Sequence, residues 1–124
     1  MSIRAVKGVT PEWYTPASEM VEGDDGALIA PEGAARFQLR PLTQMQLHEV
    51  MPEVNFEHQH ITRRGIEMCL RYGLTDWQGV EDDDGAALPC TFENAQRLPY
   101  YLHQELASQM VLKANISEDD EKKS

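Results

Sequence analysis

The sequence predicts an α+β protein, mostly α: a small N-terminal β-hairpin or sheet, then a compact bundle of three to four helices with one short β-hairpin insertion. Three observations carry this expectation. In the first forty residues, Phe37 and Leu39 alternate with Arg36, Gln38 and Arg40, the period-2 pattern of a strand with one wet face. From Ile61 to Trp77 the apolar residues cover roughly 200° of a helical wheel, well beyond the ~100° stripe of a surface helix. Leu98, Leu102, Leu106 and Met110 then recur at spacings of four, a slowly drifting helical seam.

The chain divides into an extended N-terminal region (1–40), a helical domain (41–116) and a disordered acidic tail (117–124), in all one structural domain. Glu12-Trp13-Tyr14-Thr15 is a β-favouring aromatic run interrupted by Pro16, and we expect it to pair antiparallel with the Phe37 segment at a sheet edge. Glu22-Gly23-Asp24-Asp25-Gly26 is a turn by composition. Thr43 and Gln46 have the spacing of a capping box, and Leu42 and Leu47 that of a hydrophobic staple, so a short helix runs from here to Pro52. Its apolar side is expected to be Met45, Leu47, Val50 and Met51.

The hub is the next helix. Arg63, Arg64, Glu67 and Arg71 form a solvated ridge, and Ile66, Cys69 and Leu70 face inward. Gly73 can close the helix in the left-handed conformation, with Leu74 folding back and Trp77 anchoring beside the helix end. Asp82-Asp83-Asp84-Gly85 reverses the chain. Thr91 caps the last helical region, where Pro99 either kinks one helix or opens a second, and Asn115 is a plausible stop. The predicted core is Leu47, Ile66, Cys69, Leu70, Leu74, Trp77, Leu102 and Leu106.

Composition narrows the function. The formal net charge is −10, from 21 acidic against 11 basic residues, which argues against binding a phosphate backbone. No run nears the ~18 apolar residues of a membrane span, and the two cysteines lack metal-site spacing, so the chain reads as soluble and intracellular. His58 and His60 share a face only on a strand and find no third ligand at an obvious spacing. A calcium loop with its glycine at Gly85 would need acids where Val80 and Thr91 stand. Cys90 and His103 could pair as nucleophile and base, but no orienting group accompanies them. With no phosphate loop or nucleophile elbow either, we expect a protein without catalysis, metal or cofactor. Trp13, Tyr14, Tyr100 and Tyr101 exceed what a minimal core needs and, with Met110, are the candidate protein-binding residues.

One resemblance combines these features. Phe37-Gln38-Leu39-Arg40-Pro41-Leu42 leads into a short helix, and Arg71-Tyr72-Gly73-Leu74-Thr75-Asp76-Trp77 precedes the Val80–Gly85 hairpin. Thr91-Phe92-Glu93-Asn94-Ala95 then opens a Leu-rich helix with an acidic tail. This order resembles the small tail assembly chaperones of long-tailed bacteriophages and related prophages, chiefly over residues 36–124. The resemblance implies a non-catalytic protein of the host cytoplasm that coats the tape measure protein and helps recruit tail tube subunits. It implies no nucleic-acid or membrane partner and leaves homo-oligomerisation open. Two other classes share the composition: a minor structural tail subunit, and an acidic inhibitor that mimics nucleic acid.

Overall fold

The computed structural model describes residues 11–123, with side chains through Ala114. Strand β1 (Glu12–Tyr14) is followed by a 3-10 turn and a hairpin of β2 (Val21–Glu22) and β3 (Leu28–Ile29). Strand β4 (Arg36–Leu39) leads into helix α1 (Gln44–Val50), and a second hairpin, β5 (Val54–Asn55) and β6 (His60–Ile61), leads into α2 (Arg63–Gly73). Helix α2 passes directly into β7 (Leu74–Gln78); the short α3 (Phe92–Ala95) and the long α4 (Tyr100–Lys123) follow.

The described residues combine four helices with seven strands in three small sheets, so the fold is α+β, but the expected helix bundle is absent. What overturns it is β7. Residues 74–78 are a third strand rather than a loop after the hub helix, and the main sheet runs in the order β1-β4-β7. The strand before α1 therefore pairs with the strand after α2, so the N-terminal region and the helices share one sheet. Two further two-stranded hairpins make three small sheets among the described residues. The Trp13 and Phe37 segments do pair antiparallel, Trp13 opposite Gln38 and Tyr14 opposite Phe37, with β1 at the edge. The acidic segment expected to be disordered is helical in its backbone as far as Lys123, so α4 does not stop at Asn115.

Local chemistry explains most of the element ends. Thr43 Oγ1 accepts from the Gln46 amide at 3.2 Å, and Gln46 Oε1 accepts from the Thr43 amide at 3.0 Å. Such a reciprocal cap satisfies two otherwise orphaned donors and is worth ~1 kcal/mol. Leu42 and Leu47 are both buried beneath it, whereas Met45, expected on the apolar side, points to solvent. The Thr62 and Thr91 hydroxyls cap α2 and α3 by accepting from the Gly65 and Asn94 amides at 3.2 and 3.1 Å, without the returning side-chain bond. Pro99 breaks the chain between α3 and α4, and its carbonyl accepts from the amides of Leu102 and His103.

The end of α2 differs from the expectation. Gly73 is not left-handed; Leu74 is extended (φ −83°, ψ 109°) and the helix becomes a strand without a loop. Glycine is required there for space. A Cβ on Gly73 would lie 2.8 Å from the Arg40 carbonyl and would collide with the Met110 side chain. The Gly73 carbonyl in turn accepts from the Arg40 amide at 2.7 Å.

Phe37, Leu39, Val50, Cys69, Leu106 and Met110 are wholly buried where the sheet meets α1, α2 and α4. Leu47, Ile66, Leu70, Trp77 and Leu102 are buried around them, and Leu74 is half-buried against the same core. Trp77 sits edge-on to Phe37, with centroids 6.2 Å apart and planes at 85°. Its indole Nε1 donates to the Leu88 carbonyl at 2.7 Å, tying β7 to the hairpin loop that follows. Truncating Trp77 to alanine is expected to cost ~3–5 kcal/mol of unfolding free energy. Gly73→Ala should cost ~1–3 kcal/mol by overpacking, and Arg63→Ala on the solvent ridge less than ~0.5 kcal/mol. Urea denaturation of the three variants checks this, and equal effects would show that the core is misplaced.

Candidate interaction surface

The aromatic candidates separate once placed. Tyr14 lies half-buried, and its hydroxyl donates to Glu105 Oε2 at 2.6 Å, an oxygen that also accepts from the Ala17 amide at 2.9 Å. Burial first, and the Glu105 carboxylate second, push the Tyr14 phenol upward from its ordinary range. This pair fastens β1 to α4 and makes Tyr14 a structural residue. Trp13 is partly exposed at the sheet edge, with the Arg36 guanidinium 4.5 Å from its ring centroid, a stacking arrangement worth ~0.5–1 kcal/mol. Met110, expected to meet a partner, is wholly buried against the α2 end and is corrected to a core residue. Tyr100 and Tyr101 both reach solvent, 61% and 56% exposed, although they stand at the start of the helix that carries much of the core.

A better-formed surface lies elsewhere. The β5–β6 hairpin lies against α4, and the two enclose a groove of about 400 Å³. Its floor is apolar, formed by the buried Ile61 and Val111, with the half-buried Val54 beside them. Phe56 and Leu112 flank it, 60% and 53% exposed. Fully burying such a side chain yields ~1.5–3 kcal/mol, of which Phe56 and Leu112 leave roughly half unrealised in the free protein. Gln104 fixes the hairpin against α4. Its Nε2 donates to the Ile61 carbonyl at 2.7 Å and its Oε1 accepts from the Ile61 amide at 3.2 Å, clamping the hairpin to α4 through backbone groups. The hairpin tip is built for a tight return, with Asn55 Oδ1 accepting from the His58 amide and Gln59 in the left-handed region (φ 51°).

Sequence reasoning missed Phe56 and Leu112, and for Leu112 one signal was present. Met110-Val111-Leu112 are three successive apolar residues on a helix, spanning ~200°. A helix covered on two sides buries two of them, here Met110 and Val111, and leaves the third outside.

The candidate reactive groups do not assemble. Among the described residues no three His, Cys, Asp or Glu side chains lie close enough to hold a metal ion. His58 and His60 are both exposed, one in the hairpin loop and the other on the groove rim. His103 Nε2 lies 2.7 Å from the Ala95 carbonyl; a carbonyl only accepts, so this nitrogen donates and is occupied. Both thiols are pushed up by burial, Cys69 to about 12 and Cys90 by burial and then the Asp76 charge. That direction disfavours the thiolate a nucleophile needs. No helix among the described residues is long and apolar enough to cross a membrane. Compared with protein-family models, with curated proteins and with solved structures, the chain matches none.

The Cys69 shift sets a pH dependence. Its thiol titrates near 9.0 when unfolded and near 12 in the native core, so the native state holds its proton longer. The resulting stabilisation is complete below pH 9 and lost as pH climbs from 9 towards 12. Unfolding free energy from urea titrations should therefore fall over that interval, and Cys69→Ala should make the fall shallower. An unchanged slope in the variant would show that Cys69 is not the group responsible.

Proposed function

We propose that the chain is a non-catalytic tail assembly chaperone of the long-tailed-phage type, acting in the host cytoplasm to cover apolar stripes of the tape measure protein until tail tube subunits assemble around it. The observation that carries this reading is the open apolar groove between β5–β6 and α4, on a molecule whose net charge is −10. A groove flanked by exposed Phe56 and Leu112 suits the apolar face of a helix, one of the recurring modes of peptide recognition. The charge keeps many copies soluble and apart while each masks a stretch of a long, aggregation-prone helix. The order of motifs from Phe37 to the acidic tail supports the same assignment. The reading also gives the exposed Tyr100 and Tyr101 a use, as further contacts for a tail protein.

Co-expression with tape measure fragments tests the proposal. The chain should co-purify with them, be absent from finished particles, and keep its affinity as salt is raised because its contacts are apolar. A nucleic-acid mimic would instead lose affinity steeply with salt, and a structural subunit would persist in the particle. Phe56→Asp and Leu112→Asp should each weaken binding by ~2 kcal/mol or more, about 30-fold in Kd. Both side chains are already exposed, so thermal unfolding of the variants should match the parent within about 0.5 kcal/mol. Undiminished capture by the double variant would remove the groove from the proposal.

A further inference from the structure

A second apolar recess lies away from this groove, between the loop at residues 80–88 and the α3–α4 junction. Its volume is about 280 Å³. Its accessible apolar surface comes from half-buried Val80, Leu88 and Leu98, with the buried Phe37 and Leu102 behind them. The recess is held open by fixed backbone. Gly79 has φ +76°, and a Cβ there would lie 2.9 Å from the Ala35 Cα, so the chain turns into the loop hard against the strand before it. The loop is then closed by Asp82, whose Oδ1 accepts from the amides of Asp84 at 2.9 Å and Ala86 at 3.0 Å. Leu88 is fixed from behind by the Trp77 indole.

The charges at the mouth are arranged unequally. Glu81 and Asp83 stand on the loop wall, and neither carboxylate has a hydrogen-bond or ion-pair partner among the described residues. Arg97 stands on the opposite wall, likewise without an ion pair. A partner side chain entering the recess therefore passes two uncommitted carboxylates on one side and one guanidinium on the other. All three side chains are exposed, so each pair they form with a partner is worth about what an open surface pair is, ~0.2–1 kcal/mol.

We infer that this recess is a charge-selective docking site for a helical segment that presents a large apolar side chain next to lysine or arginine. The apolar side chain packs on Val80, Leu88 and Leu98, and the flanking cation meets Glu81 and Asp83. An acidic flank gains only Arg97 and is repelled by the two carboxylates, so the balance of charge at the mouth favours the basic flank by repulsion as well as attraction. The site lies ~14 Å along α4 from the Val111–Leu112 groove, nine residues at 1.5 Å each. The inference does not depend on that groove, and the two can fail separately.

Two synthetic amphipathic helical peptides test it, sharing one leucine stripe and differing only in Lys or Glu at the flanking positions. Each is titrated into the 124-residue chain at low salt, followed by anisotropy and by the amide shifts of the protein. The wild type should bind the Lys peptide about tenfold more tightly than the Glu peptide, as two partly exposed ion pairs would give. The shifts should centre on residues 80–88 and 97–102. In the Glu81→Lys/Asp83→Lys variant, which leaves Asp82 and the turn intact, the preference should vanish or reverse. A control variant, Phe56→Asp, should keep the preference. If the Lys preference survives the double substitution, the general acidity of the chain causes it and the inference fails. It fails equally if the two peptides bind alike, or if the perturbed amides lie elsewhere.

Discussion

The structure depends on one crossing, where the end of α2 passes beneath the start of the β4–α1 connection. At Gly73 the helix carries no side chain, so the Arg40 backbone can approach closely enough for its amide to reach the Gly73 carbonyl at 2.7 Å. Because the chain leaves the helix already extended, the next five residues are aligned as a strand against β4, with Phe37 opposite Trp77 and Leu39 opposite Leu74. A loop of even a few residues at this point would free β7 from the register that α2 imposes. The Met110 side chain closes the crossing from the α4 side, which brings three elements distant in sequence to one point.

The outer parts follow from that arrangement. With β7 fixed, Trp77 reaches Leu88 and shapes the recess at residues 80–88. With α4 pinned by Met110 and Leu106, Glu105 can hold β1 through Tyr14, and Gln104 can hold the β5–β6 hairpin through Ile61. The β5–β6 hairpin is thus held on the packed body, although it is only two residues wide in its paired part. Short ribbons of this kind are marginal alone and take their stability from what they lie on.

What was legible in the sequence is what local chemistry decides. The Thr43 cap, the turn at Asp82–Gly85 and the break at Pro99 each follow from residues within a few positions of one another. The buried arc of α2 is also a local pattern, and Ile66, Cys69 and Leu70 lie inside. Gly73 carried no such signal. A glycine after a helix suggests a left-handed cap, and only the tertiary positions of Arg40 and Met110 show that its role is clearance. Reading it as a cap turned β7 into a loop, and without β7 the helices looked like a separate bundle. Met110 was misplaced for a related reason, since a seam with spacing four drifts ~40° per step and its inward limit depends on what packs there. Phe56 escaped notice because Val54 and Phe56 alternate like a strand, and which side faces water is set by α4, fifty residues on.

The functional account is one of surfaces: an acidic body with an open apolar groove between β5–β6 and α4, and, among the described residues, no cluster of three His, Cys, Asp or Glu side chains that could hold a metal ion. Hydrogen–deuterium exchange on the chain bound to a tape measure segment tests that claim most directly. The account predicts that slowed exchange on binding concentrates in residues 54–61 and 104–112, the two walls of the groove. Protection confined to the β2–β3 hairpin or the outer ridge of α2, with those walls unchanged, would contradict it.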